Sequence, residues 1–183
     1  MPKLTRLLNT IEQTIRNLSP FNRKQEVISW VGTRNRFLKD ESKFKTNIRY
    51  SAGDVILVEF GYNVGAEFKG EHPAIVIEDS PRSAKTLMVV PLSSLEPGEN
   101  IHPANVLIGE LKKFNQIAKK KPGTISFAVM NQVRAIDKVR IKMPSNKFHE
   151  RTHVDPDKLK EIYNKFQERY LSKGLDRKKP DES

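Results

Sequence analysis

Residues 53–77 read "GDVILVEFGYNVGAEFKGEHPAIVI". Two β-type runs, "DVILVEFG" (54–61) and "PAIVIED" (73–79), are rich in Val and Ile and bounded by glycine. Between them lies a segment carrying Gly65, Glu67, Lys69, Gly70, Glu71 and His72. A plain hairpin needs only turn residues. Two carboxylates, an amine and an imidazole at that place mark the loop as a candidate site.

Working outward, "TLMVVPLSS" (86–94), "ANVLIG" (104–109) and "TISFAVMNQVRAI" (124–136) are further strand candidates, the last the longest, and "VRIK" (139–142) ends another. Closely spaced short strands without long intervening helices predict a small, strongly curved antiparallel sheet or barrel. "PDKLKEIYNKFQERYLSK" (156–173) predicts a helix, with Asp155 as N-cap, Pro156 at N1 and Gly174 as its stop. Its apolar side is Leu159, Ile162, Tyr163, Phe166, Tyr170 and Leu171.

Upstream, Leu4, Leu7, Leu8, Ile11, Ile15 and Leu18 fall at helical spacing, and Ser19-Pro20 stops that helix. A second helical pattern follows, with Val27, Ile28, Trp30, Val31, Phe37 and Leu38 on its apolar side and Gly32 weakening its middle. The expected organisation is a basic helical extension over 1–47, a barrel domain with a C-terminal helix over 48–174, and a disordered tail over 175–183. The fold class is α+β.

The 183 residues carry 33 basic and 22 acidic side chains, a formal net charge of +11. Residues 1–50 hold eleven of the bases and four of the acids. A chain this basic attracts polyanions, nucleic acid above all; the plainer reading is a solubilising surface. Cysteine is absent, which excludes disulfides and thiolate metal sites. No stretch approaches the ~20 apolar residues of a membrane span. No apolar leader with a small-residue cleavage site is seen. A cytoplasmic location without membrane attachment is expected. No phosphate-loop or dinucleotide glycine pattern occurs. His149 and His153 in "HERTH" have the spacing of a zinc-protease helix, but Pro156 would interrupt such a helix, so no metal site and no cofactor are expected.

Three features converge: "GDVILVEFG" leading into "VGAEFKGEHPAIVI", then "LMVVPLSS", then "MNQVRAIDKVRI". Their order resembles the MazF/PemK family of toxin endoribonucleases, over residues of about 49–142. The third motif is the most specific, combining Gln132, Arg134, Asp137, Lys138 and Arg140. The resemblance implies an SH3-like antiparallel barrel, usually a homodimer. It also implies cleavage of single-stranded RNA without metal: a 2′-hydroxyl attacks the adjacent phosphate and leaves cyclic phosphate and 5′-hydroxyl ends. An acidic antitoxin is the partner it implies. The helical extension lies outside the resemblance.

In that family the residue before the loop proline is most often an Arg acting on the scissile phosphate; here it is His72. An imidazole titrates near neutrality and serves as acid or base, but offers no bidentate fork to phosphate. The plainer reading is a neutral His packed beside Pro73. Ser93 aligns with the family's hydroxyl at the end of the next strand, with Ser94 as an available neighbour and a local turn bond as the alternative role. Glu67 matches the loop carboxylate, to contact a base edge or influence His72, or simply to sit in solvent. Lys69, Arg82 and Arg134 are candidates for the missing cation. Gln132 and Arg134 alternate with Val133 and share a face. Lys112, Lys113, Lys119, Lys120 and Lys121 surround Phe114 in sequence as a basic track with a base-stacking aromatic, or as a solvated loop. Asp137-Lys138 reads as a turn. The alternative function is a non-catalytic relative that binds a protein target, or binds RNA without cutting it.

Overall fold

The computed structural model describes residues 2–17, 21–41, 48–144 and 150–172. Ser19-Pro20, His149, Gly174 and the tail therefore lie outside the described residues. The chain divides into two compact units. One comprises Met1–Phe44 with Phe60–Gly70, the other Lys45–Glu59 with Glu71–Ser183.

The first unit holds α1 (Pro2–Asn17) and α2 (Phe21–Glu41), as the helical spacing predicts. Their apolar residues are largely exposed: Leu4, Leu7, Leu8 and Ile11 on α1, and Ile28, Trp30, Val31 and Leu38 on α2. Phe37 is buried. Helix α2 runs through Gly32, because one glycine costs only about 1 kcal/mol against Ala.

The second unit contains eight strands: β1 (Asp54–Glu59), β2 (Glu71–Val76), β3 (Thr86–Ser94), β4 (Val106–Glu110), β5 (Ile125–Ala128), β6 (Arg134–Asp137), β7 (Ile141–Met143) and β8 (Thr152–His153). All pairings are antiparallel, in the order β4-β5-β3-β2-β1-β7, with β6 also on β3 and β8 also on β1. The α+β class with a small antiparallel sheet is as expected. No β4–β7 pairing closes the sheet among the described residues.

Register explains why β1–β3 read as unbroken apolar runs. Val55, Leu57, Ile75, Val90 and Leu92 join one core cluster, which also takes Phe114 and Ile162. The alternate residues Ile56, Val58, Ala74, Val76 and Val89 are fully buried as well. With both faces covered, polar alternation is lost. Each aliphatic side chain buried this way is worth about 1.5–3 kcal/mol.

Helix α4 (Pro156–Phe166) begins as expected: the Asp155 carboxylate accepts the Asp157 N–H at 2.8 Å, with Pro156 at N1. It continues as a π-helical turn over Gln167–Ser172. Leu159, Ile162 and Phe166 pack onto the core, and the Tyr170 hydroxyl donates to the Met130 carbonyl at 2.8 Å.

Two expectations need correction. The 124–136 run is not one strand: a 3-10 turn (Met130–Gln132) separates β5 from β6. Both strands pair with β3, but Leu92 faces Ala128 while Val89 faces Arg134, so three residues are taken up at the break. Fully buried Met130 fills the core there. Second, Lys112–Ile117 is a short helix, α3, rather than a solvated loop.

Candidate active site

The β2–β3 hairpin has an open end and a turn end. At the open end, His72 pairs with Val58 of β1. The β2–β3 ladder runs Val76–Val89, Ile75–Val90, Ala74–Pro91. The ladder ends there; extending its register by two residues would set His72 opposite Ser93, while Leu92–Ser94 of β3 pair with β5. Residues opposite one another in an antiparallel pair share a face, with Cβ atoms about 4.5–5.5 Å apart. Ser93 in turn pairs with Phe127 of β5, and Val58 with Ile141 of β7. Ile141, Val58 and His72 form one row across β7, β1 and β2, Ser93 and Phe127 pair across β3 and β5, and the extended register would join the two. The flanks are buried; His72 and Ser93 are half-buried. Each of the two strands, β2 and β3, thus carries one partly accessible polar group just past the last β2–β3 pair. Ser94 is also half-buried but pairs with Ser126, on the opposite face.

The loop preceding β2 belongs to the first unit. Its neck is fastened by Phe60 N–H to Gly70 O at 2.8 Å and Gly70 N–H to Gly61 O at 2.7 Å. Both glycines have positive φ, 78° and 67°, which an L side chain rarely adopts. Asn63 Nδ2 donates to the carbonyls of Phe60 and Phe68, at 3.3 and 2.6 Å, and the Phe60 and Phe68 rings meet edge-on. The charged segment is therefore an internally bonded loop. Glu67 is exposed in it, and the Lys69 ammonium sits 5.1 Å from the Tyr62 ring centroid.

The other candidates are dispersed. Arg134 pairs with Val89, four residues along β3 from Ser93, roughly 13 Å of strand. Gln132 is half-buried in the 3-10 turn, and Val133 packs against the core as the alternation predicted. Arg82 is exposed at the turn end of the hairpin, away from the row. Lys112 and Lys113 are exposed on α3, where Lys113 pairs with Glu150 at 3.2 Å. Phe114 is 4 % exposed and belongs to the core cluster. Its assignment as a base-stacking residue is wrong: the helix turns that ring inward, where no base can reach it.

Sequence reasoning missed a set of buried polar groups. Asp54, 1 % exposed, accepts from Arg151 Nη1 and the Ser51 N–H, both at 2.8 Å, on Oδ2. Its Oδ1 lies 3.2 Å from His153 Nδ1, close enough for an ion pair, yet receives no hydrogen bond. Thr152 and His153 form β8, so the described part of "HERTH", residues 150–153, does not lie on a helix. Among the described residues no three His, Asp or Glu side chains are grouped to hold a metal ion. Tyr50, also 1 % exposed, donates to the Pro144 carbonyl at 2.8 Å, and burial pushes its phenol well above the usual range. Lys138 is likewise buried, and desolvation holds its ammonium below the usual lysine range. The Asp137 carboxylate caps the turn by accepting the Val139 N–H at 2.9 Å. Nearer the row, Lys142 of β7 pairs with Glu71 of β2.

A small antiparallel sheet with a flanking C-terminal helix, and a polar row at the strand ends, define the architectural class. The family model described as "PemK-like, MazF-like toxin of type II toxin-antitoxin system" matches residues 51–169. The chain belongs to that family. Among solved structures, MazF (Form-I) from Deinococcus radiodurans is 18% identical, with a TM-score of 0.45, covering 66% of this chain and 96% of its own. An endoribonuclease in complex with its cognate antitoxin, from Mycobacterial species, is 15% identical with a TM-score of 0.41, covering 65% and 90%. MazE-MazF (Form-II) from Deinococcus radiodurans is 17% identical with a TM-score of 0.42, covering 66% and 94%. Among curated proteins no sequence matches the chain. No helix among the described residues is long and apolar enough to cross a membrane.

Proposed function

We propose that the protein is a toxin endoribonuclease that cuts single-stranded RNA at the His72–Ser93 row. The reading rests on family membership and is supported by the hairpin register, which, extended two residues past its last pair, would bring an imidazole across from a hydroxyl, both half-buried. Neutral His72 takes the proton of the 2′-hydroxyl, whose oxygen attacks the adjacent phosphorus. The P–O5′ bond breaks, the leaving 5′-oxygen takes a proton from solvent water, and the imidazolium of His72 returns its proton to solvent, leaving a 2′,3′-cyclic phosphate and a 5′-hydroxyl. Ser93 donates a hydrogen bond to a phosphate oxygen as negative charge builds there. Glu67, from the loop, contacts a base edge. Gln132, Arg134 and the exposed Lys112 and Lys113 favour the polyanion by charge and hydrogen bonding. The mechanism requires no metal or cofactor.

In this reading the protein is a cytoplasmic homodimer neutralised by an acidic antitoxin, with 1–47 an appended extension to the 48–174 catalytic domain. The test is incubation of the purified chain with a diverse RNA pool in EDTA, followed by mapping of the ends. Cyclic phosphate and 5′-hydroxyl ends at a recurrent short sequence, lost in His72→Ala, are the expected result. An intact pool despite RNA binding would favour the non-catalytic alternative and end the proposal.

A further inference from the structure

At the turn end of the β2–β3 hairpin, Arg49, Asp79, Pro81, Arg82 and Ser83 line a surface depression. The two arginines are placed together by the backbone. Tyr50 and Ser80 exchange hydrogen bonds, N–H to O at 3.0 and 2.8 Å, so the segments carrying Arg49 and Arg82 run side by side. Beneath them, Lys138 Nζ donates to the carbonyls of Ile48 at 3.3 Å and Pro81 at 2.7 Å. Those are the residues immediately before Arg49 and Arg82. A buried ammonium thus clasps the two segments that bear the guanidinium groups.

The charge of this cluster is left unbalanced. Lys138 is 1 % exposed, and among the described residues no carboxylate pairs with it. Burying a lone ammonium is costly, and its field is screened less than that of a surface charge. Arg49 and Arg82 are exposed, and neither is in an ion pair among the described residues. The one carboxylate on the rim, Asp79, accepts the Ala52 N–H at 3.0 Å on Oδ1. Three cations against one acid, two of them presenting planar forks to solvent beside the Ser83 hydroxyl, fit a phosphodiester.

We infer that this end of the hairpin is a phosphate-binding subsite that grips the RNA strand several nucleotides from the bond cut at the open end. The inference rests on the proposed RNA-directed function. It gives the enzyme a preference for longer substrates that the His72–Ser93 row alone does not supply.

The test compares wild type with the Arg49→Gln/Arg82→Gln double variant, both sites being exposed, and with Arg82→Lys. Binding of single-stranded RNAs of about 6 and about 20 nucleotides is measured across a salt series in EDTA. For the longer RNA, the double variant should lose about ten-fold in affinity at moderate salt. The slope of log K against log salt should fall by about 1.4, two phosphates at ~0.7 each. Affinity for the short RNA should stay within about two-fold, and Arg82→Lys, which keeps the charge but loses the fork, should keep the wild-type salt slope while losing part of the affinity for the long one. Where cleavage is observed, KM for the long RNA should rise with kcat unchanged. Binding is read without chemistry, so a protein that binds but never cuts would sink the nuclease reading while leaving the subsite judged by its salt slope. An unchanged slope and affinity, or no RNA binding by wild type, would overturn the subsite. So would poly-glutamate binding lost in the double variant with RNA unaffected, which would assign the cluster to an acidic polypeptide.

Discussion

The two ends of the β2–β3 hairpin hold polar residues under opposite conditions. At the open end His72 and Ser93 are half-exposed, on strands whose neighbours in the row, Val58 and Phe127, are buried. At the turn end Tyr50, Asp54 and Lys138 are almost wholly buried and bonded to carbonyls, a backbone N–H and Arg151. A buried polar group with its partners in place holds the chain together and is unavailable to a ligand. A polar group set on a rigid strand with a face open to solvent can bind. The contrast supports the proposed chemistry at the open end and gives the buried cluster beneath the turn a structural part.

The largest effect should come from the open end. His72→Ala should lower kcat by about 10²–10⁴-fold, with the melting temperature little changed; equal loss of folding would make His72 a structural residue. Next, Lys138→Ala should destabilise the fold by about 2–4 kcal/mol, through lost packing and two unsatisfied carbonyls. Urea denaturation measures it. A stability loss under about 0.5 kcal/mol, the usual range of a surface change, would show that the ammonium is not held inside.

Phe114→Leu should cost about 1.5 kcal/mol or less in stability and leave RNA affinity unchanged, because that ring is core. A base-stacking ring would instead lose about 1–3 kcal/mol of binding. The smallest effect is a pH dependence. Burial raises the Tyr50 pKa, so the folded protein keeps the phenol proton where the unfolded chain, titrating near 10, releases it. That stabilising contribution is complete below about pH 10 and fades as pH climbs further. Tyr50→Phe should flatten the alkaline limb of a stability–pH curve, at a constant cost of about 1 kcal/mol for the lost bond to Pro144. An unaltered alkaline limb would place the phenol in solvent.

How much of this was legible in the residues follows from what each signal depends on. Strands β1–β3 could be read because runs such as "VILV" and "VV" have no alternative in short segments bounded by Gly, Pro and Ser. Asp155-Pro156 announced α4 through local chemistry alone. The break at Met130 was hidden, since "SFAVMNQVRAI" is β-prone throughout and the three-residue slip is imposed by pairing with β3. Phe114 sits among lysines, so composition places it outside while α3 turns it inward. Lys138 was unreadable for the same reason: only the long-range approach of Ile48 and Pro81 gives a buried ammonium its partners. His72 and Ser93 were identified singly, from the motif order. Whether they face one another depends on how far the hairpin register runs, which a sequence does not state.

That register can be measured directly, because the chain contains no cysteine. A His72→Cys/Ser93→Cys variant should oxidise at low protein concentration to a monomer with an internal disulfide, since opposed antiparallel residues lie about 4.5–5.5 Å apart at Cα, within disulfide reach. A Glu71→Cys/Ser93→Cys control, with side chains on opposite faces, should stay reduced. If both thiols of the first variant remained free while the control closed, imidazole and hydroxyl could not share one phosphodiester, and the proposed site would be wrong.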